Sequence, residues 1–143
     1  MSDIGIIIQA RMGSTRLPQK MINPFFNNKC LLEIILERLT SNFTEKIILA
    51  TTTNEVDDEI EKISKKYNVI LYRGSEDDVL LRFIEAAKQN NISNVIRICA
   101  DNPFLDIAFL KQLMALKKLH KYDYVSFTLI NNTPTIKNHI GLF

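Results

Sequence analysis

Cysteine is scarce in this sequence and long apolar runs are missing, and these two absences narrow the field first. Its two cysteines, Cys30 and Cys99, stand far apart and belong to no C-x-x-C or Cys/His ligand spacing, so a disulfide scaffold and a zinc site are both disfavoured. Each reads as a small buried hydrophobe in a reducing, cytoplasmic setting. Nothing approaches the about 18 consecutive apolar residues of a membrane helix. The start of the chain, with Asp3 ahead of the short apolar run at residues 4–8, lacks the basic region of a secretion signal. Charge of one sign is missing too: 18 Lys+Arg against 16 Asp+Glu leave a net +2, with no long block of either sign. The basic residues are not interleaved with aromatic stacking platforms, which argues against nucleic acid. His120 and His139 have no partners at ligand or triad spacing, and no Ser, His and Asp constellation for nucleophilic catalysis is visible.

What is present is ordinary globular material. With 143 residues, 46% hydrophobic and 24% charged, one domain with its own core is expected. Residues 4–8 form a β-branched run suited to a strand buried on both faces. Leu31, Leu32, Ile35, Leu36 and Leu39 then follow helical spacing over roughly residues 30–40. Residues 47–50 give a second strand, and Asn54 can cap a helix carrying Asp57 and Asp58 in its first turn and Val56, Ile60, Ile63 and Tyr67 on its inner face. Residues 69–72 read as a third strand. Val79, Leu80, Phe83, Ile84 and Ala87 mark the inner face of a third helix, residues 95–99 a fourth strand, and Ile107, Leu110, Leu113, Met114 and Leu116 a fourth helix. A fifth strand is expected at residues 124–128. Such β-α alternation implies a mostly parallel sheet with helices on both faces, and ligands then bind beyond the carboxyl ends of the strands.

Three of those strand ends carry the chemistry. After the first strand, Gln9-Ala10-Arg11-Met12-Gly13-Ser14-Thr15-Arg16-Leu17-Pro18-Gln19-Lys20 gathers cations and hydroxyls around a glycine. Gly13, free to take unusual dihedrals, can turn backbone N–H groups inward as an anion-binding nest. Arg11, Arg16 and Lys20 then add charge-assisted bonds to phosphate oxygens. Neither a Walker loop nor a dinucleotide fingerprint is present. After the fourth strand, Asp101 follows an apolar run and precedes Pro103; it either ligates a divalent cation such as magnesium, which accepts one or two carboxylates plus substrate phosphates, or caps a helix. Asp106 reads as a helix cap. After the third strand, Arg73-Gly74-Ser75 precedes Asp78, where Ser75 can cap the next helix and Gly74 permits close approach.

Taken together, "IIQARMGSTRLPQK", "ILATTTNEVDDEI", "RGSEDDVLLRF" and "VIRICADNPFLD" resemble the SpsF-type cytidylyltransferase-like proteins of polysaccharide biosynthesis, relatives of the CMP-sialic acid and CMP-KDO synthetases. The resemblance implies an α/β fold of the nucleotide-diphospho-sugar transferase, glycosyltransferase-A-like type: a three-layer α/β/α sandwich with a mixed, mostly parallel sheet. It implies a magnesium-dependent reaction in which a sugar or sugar-acid hydroxyl attacks the α-phosphate of CTP and pyrophosphate leaves. Gln9 and Ala10 would then lie against base and ribose, and Arg11, Ser14, Arg16 and Lys20 on the triphosphate, with Met12 and Gly13 completing the nucleotide loop. Asp101 would be the metal ligand, Gly74 and Ser75 would border the nucleotide, and Arg97 would support the site. A homodimer is compatible with the resemblance. The apolar finish Gly141, Leu142, Phe143 suggests that residues 1–143 are the nucleotide-binding domain of a longer protein. Two other readings keep the same sequence: this fold with another nucleoside triphosphate, and a non-catalytic binding or assembly module.

Overall fold

Alternate side chains of a strand go to opposite faces of its sheet, and in the first strand of this chain both sets are apolar. The computed structural model describes residues 4–13, 19–120 and 122–126, with the backbone of residues 129–130 and 133–134. In order, the elements are β1 (Ile4–Gln9), the hairpin β2 (Pro24–Phe26) and β3 (Lys29–Cys30), α1 (Leu31–Thr40), β4 (Lys46–Thr52) and a 3-10 turn (Glu55–Asp57). They continue with α2 (Asp58–Lys66), β5 (Ile70–Gly74), α3 (Val79–Gln89), β6 (Asn94–Cys99) and α4 (Ile107–Leu119), then the two-residue strands β7 (Leu129–Ile130) and β8 (Thr133–Pro134).

From β1, Ile4, Ile6, Ile8 and Ala10 pack with Leu32, Ile35, Leu36 and Leu39 of α1, Ile60 of α2 and Leu110 and Met114 of α4. Ile7 goes to the other face, among Ile48, Ala50, Tyr72, Ile92 and the α3 residues Phe83, Ala86 and Ala87. Three layers result, with α3 on one side of the sheet and, among the described helices, α1, α2 and α4 on the other. Gly5 leaves room for that packing, since a Cβ there would lie 2.2 Å from Ile92 Cδ1. Each fully buried Ile or Leu contributes about 1.5–3 kcal/mol, so these two clusters dominate the stability of the fold.

The main sheet has the order β5-β4-β1-β6, and its strands pair in parallel, with Ile8 opposite Leu49 on one side and Ile98 on the other. The chain steps outward from β1 to β4 to β5, then crosses back to lay β6 on the far side of β1. That reversal falls between β1 and β6, and the carboxyl ends at such a reversal are where sheets of this kind hold ligands.

Several details differ from the sequence expectation. Residues 124–126 of the expected fifth strand are irregular, and the short pair β7 and β8 follows them; residues 127 and 128 lie outside the described residues. The β2-β3 hairpin was not anticipated. It turns at Asn27 and Asn28, whose φ angles of 50° and 59° suit asparagine, which tolerates the left-handed region. Val56 precedes α2 on the 3-10 turn and is exposed, while Leu80, Ile84 and Leu116 also turn outward. On α3 the buried stripe is Arg82, Phe83, Ala86 and Ala87. The caps shift as well. Asn54 makes no side-chain cap bond, and α3 is capped by Asp78, which accepts from Leu81 N at 2.8 Å, in place of Ser75. Asp106 caps α4 as expected, accepting from the Ala108 and Phe109 amides.

Candidate functional site

The loop after β1 leaves a strand that is paired on both sides up to its end: Ala10 N donates to Ala50 O, and Ala100 N to Gln9 O, both at 3.1 Å. Its next turn is pinned from outside. Met12 N donates to Asp57 Oδ1 at 2.7 Å, while Asp57 Oδ2 accepts from Thr51 Oγ1 at 3.0 Å, Thr52 N at 3.1 Å and Thr52 Oγ1 at 2.5 Å. Asp57 is 1% exposed, so a buried carboxylate is satisfied by four donors, the condition under which such a group is tolerated. Sequence reasoning took Asp57 for a first-turn helix acid. The signal for its real role is Thr51-Thr52, two hydroxyls ending a buried strand shortly before it.

This pinning settles where three expected residues lie. Met12 buries its side chain in the core and donates its N–H to Asp57, so it positions the loop from within. Ala10 is buried beside it. Gly13 is exposed, with a φ outside the left-handed region, and a Cβ there would lie 3.4 Å from Glu76 Oε1. The expected left-handed dihedral at Gly13 is therefore not adopted, and a Cβ there would make only an ordinary contact with the Glu76 side chain. Arg11 is exposed and has no hydrogen-bond partner among the described residues. Ser14 and Arg16 lie outside the described residues, as does His139.

Lys20 and Asp101, distant in sequence, meet at 2.9 Å. Asp101 is 50% exposed and Lys20 26%, so the pair contributes about 0–1 kcal/mol to stability and its geometry is not a folding requirement. The turn that presents Asp101 is held from α1. The two terminal nitrogens of Arg38 donate to the carbonyls of Pro103 and Leu105, and Leu105 and Asn102 are buried beneath.

At the end of β5, Gly74 leaves space for the ring of Tyr72, whose Cε1 would stand 2.7 Å from an added Cβ. Ser75 Oγ accepts from Asp78 N at 3.0 Å, so its hydroxyl supports the entry to α3. Arg73 is fully committed to structure: Nε donates to Thr52 O and Nη2 to Asn54 O, while Nη1 pairs with Asp58 and Glu61. Arg97 projects on the α3 side of β6, its guanidinium carbon 5.6 Å from the Phe83 ring centroid, a cation–π contact. It is not gathered into the Lys20–Asp101 pair. Cys30 is buried, Cys99 half-buried, and both are free thiols. His120 stacks on Tyr122 at the surface.

Two side chains stand out against this well-satisfied background. Gln9 Oε1, and Nε and Nη2 of Arg82, are buried without hydrogen-bond partners. Arginine is seldom buried, and no sequence signal marks Arg82 as an inward residue.

The Cytidylyltransferase family model matches residues 5–138. The chain belongs to the cytidylyltransferase family. It is 39% identical over 139 residues to the spore coat polysaccharide biosynthesis protein SpsF of Bacillus subtilis, covering 94% of this chain and 56% of that protein. Against a 3-deoxy-manno-octulosonate cytidylyltransferase of Rickettsia bellii it is 29% identical, covering 94% and 53%. The solved structure of a cytidylyltransferase from Leptospira borgpetersenii superposes with a TM-score of 0.76 at 39% identity, covering 81% of this chain and 49% of that one. A CMP:2-keto-3-deoxy-manno-octonic acid synthetase, solved in complex with CTP, superposes at 0.67 with 19% identity and shares the fold, covering 84% and 49%. The chain thus spans about half the length of the curated relatives it matches. The nucleotide-diphospho-sugar transferase fold implied by the cytidylyltransferase-like motifs is the one observed.

For metal, the described residues bring together no group of three or more His, Cys, Asp or Glu side chains. Asp101 is a half-exposed single carboxylate whose partner is an exchangeable ammonium. That donor set fits magnesium, which completes its shell with water and phosphate oxygens, better than zinc or calcium. No helix of the described residues is long and apolar enough to cross a membrane.

Proposed function

We propose that the chain carries the nucleotide site of a magnesium-dependent cytidylyltransferase, transferring CMP from CTP to a sugar or sugar acid used in surface polysaccharide. The observation that carries this reading is the meeting of Lys20 and Asp101 at 2.9 Å, beyond the carboxyl ends of β1 and β6 where the strand order reverses. A cation and a carboxylate held in an exposed, weak pair are groups that a metal-bound triphosphate can separate and use. The names of the SpsF and 3-deoxy-manno-octulosonate relatives point to the polysaccharide setting and to sugar acids as acceptors. Two free thiols fit a reducing cytoplasm, and a second copy of the chain is the partner to test for.

Nucleotidyl transfer needs positioning and charge compensation more than a protein nucleophile. The acceptor hydroxyl forms a bond to the α-phosphorus as the bond to the bridging oxygen breaks and pyrophosphate departs. Arg11 and Lys20 offset the charge gathering on the departing phosphates, and Asp57 keeps the loop that carries Arg11 in place. Asp101 would hold magnesium, which would supply further charge compensation for the departing pyrophosphate.

Calorimetric titration of CTP with magnesium, then with EDTA, tests the reading; metal-dependent binding is expected. Absence of binding by CTP, UTP, GTP and ATP alike would overturn it, and equal thermal shifts by all four would remove the cytidine preference. A second reading, an assembly module, is favoured by the exposed Leu80 and Ile84 on α3. It predicts concentration-dependent association in light scattering without nucleotide binding.

A further inference from the structure

Arg82 is the largest fully buried side chain of the described residues, at 0% exposure. One of its nitrogens is accounted for: Nη1 donates to the carbonyl of Ser75 at 2.6 Å. Nε and Nη2, which form one flat edge of the guanidinium, have no hydrogen-bond partner among the described residues. A buried donor left unmade is costly, and the bond from Nη1 to Ser75 does not account for two further buried donors on the same side chain.

Its surroundings do not neutralise it. Burial first, then the nearby Arg11 guanidinium, push the Arg82 pKa below its ordinary range, against the opposing pull of Asp57 and Glu76. Yet the Asp57 carboxylate is spent on four donors from residues 12, 51 and 52, and Glu76 Oε2 accepts from Asn54 Nδ2 at 2.5 Å. Two guanidiniums, one buried and one exposed, therefore sit near the same loop with no carboxylate bonded to either. Like charges in that arrangement become favourable when an anion comes between them, and the Nε–Nη2 edge of arginine matches two oxygens of one phosphate.

We propose that Arg82 is a phosphate-binding residue of this site, its free Nε–Nη2 edge taking triphosphate oxygens from beneath the loop after β1 while Arg11 closes from the solvent side. The assignment deepens the nucleotide reading above and depends on it. It also explains the offset of α3: the helix turns Arg82 inward at the expense of Leu80 and Ile84, which an ordinary amphipathic helix would bury.

The test uses the full chain with Arg82→Met and Arg82→Lys, titrated by calorimetry with CTP, inorganic tripolyphosphate and cytidine. The wild type is expected to bind CTP and tripolyphosphate. Arg82→Met should lose tenfold or more for both and nothing for cytidine, with Arg82→Lys intermediate. Without ligand, Arg82→Met should unfold at the wild-type temperature or above it, because two unmade buried donors disappear along with the bond to Ser75. Affinity for CTP and tripolyphosphate within twofold of wild type in Arg82→Met would overturn the assignment and leave the nucleotide reading standing. A loss shared by CTP and cytidine but not tripolyphosphate would overturn it in favour of base contact. A wild type that binds neither CTP nor tripolyphosphate would overturn both.

Discussion

Replacing Asp57 by asparagine changes one oxygen to an amide nitrogen at the point where the loop after β1 is fastened. Asp57 Oδ2 takes three donors from Thr51 and Thr52, and Oδ1 takes the Met12 amide. If the asparagine keeps its oxygen toward the threonines, its NH2 faces the Met12 N–H, donor against donor. The threonine hydroxyls can rotate to new acceptors, but the buried backbone amide cannot. A hydrogen bond to a charged group contributes about 1.5–3 kcal/mol. Relief of burying the carboxylate works the other way, though most of that burden is already met by four donors. The net expectation is a loss of about 2–3 kcal/mol, or a fall in Tm of roughly 4–12 °C for a domain of this size. Urea unfolding followed by circular dichroism measures it, with nucleotide titration on the same samples. CTP affinity should fall as well, since the loop carrying Arg11 loses its anchor. A stability change within about 0.5 kcal/mol, the range of ordinary surface substitutions, would refute the idea that this carboxylate holds the loop.

Three further outcomes are expected. Asp101→Asn should leave unfolding unchanged within about 1 kcal/mol, because the pair with Lys20 is exposed, while abolishing the magnesium dependence of CTP binding; intact metal dependence in calorimetry would remove Asp101 from the metal site. Arg11→Ala should weaken CTP binding by about 1.5–3 kcal/mol without a Tm change, and unchanged affinity would take Arg11 off the triphosphate. Burial, with the Glu85 carboxylate second, pushes the Tyr72 hydroxyl up to about 12. The unfolded chain ionises near the ordinary 10, so the contribution is complete below pH 10 and fades as pH rises toward 12, by about 1.36 kcal/mol per unit. Alkaline unfolding of Tyr72→Phe beside the wild type should show a shallower decline in that window, and parallel curves would contradict it.

Much of the architecture was legible because parallel strands buried on both faces leave unbroken apolar runs, as at residues 4–8 and 47–50. The misreadings share a cause: polar residues were assigned to solvent by default. On α3 the expected stripe runs through Leu80 and Ile84, whereas the buried one includes Arg82 and Ala86, an arginine being a residue type seldom found inside. Asp57 looked like a helix-start acid because its partners, Met12 and Thr51-Thr52, come together only when β1 and β4 pair. Lys20 and Asp101 were picked out individually, as cation and metal carboxylate, yet their contact depends on β6 lying beside β1. The hairpin at Asn27-Asn28 escaped notice because it lacks the glycine that usually marks such turns.

The placement of β6 has a consequence for how the chain acquires its structure. Ile4 pairs with Asn94 and Gln9 with Cys99, so the last strand of the main sheet closes against the first across most of the folded sequence. β1, β4 and β5 can assemble beforehand, but contacts over such separations form slowly, because a long loop must be closed before they return any stability. Until then one edge of β1 stands with its backbone N–H and C=O groups unpaired. Asp101 follows two residues behind β6 and reaches Lys20 only when that final pairing is made. A nascent chain that has not yet acquired β6 therefore has the Asp57-pinned loop and Lys20 but lacks the Lys20–Asp101 pair.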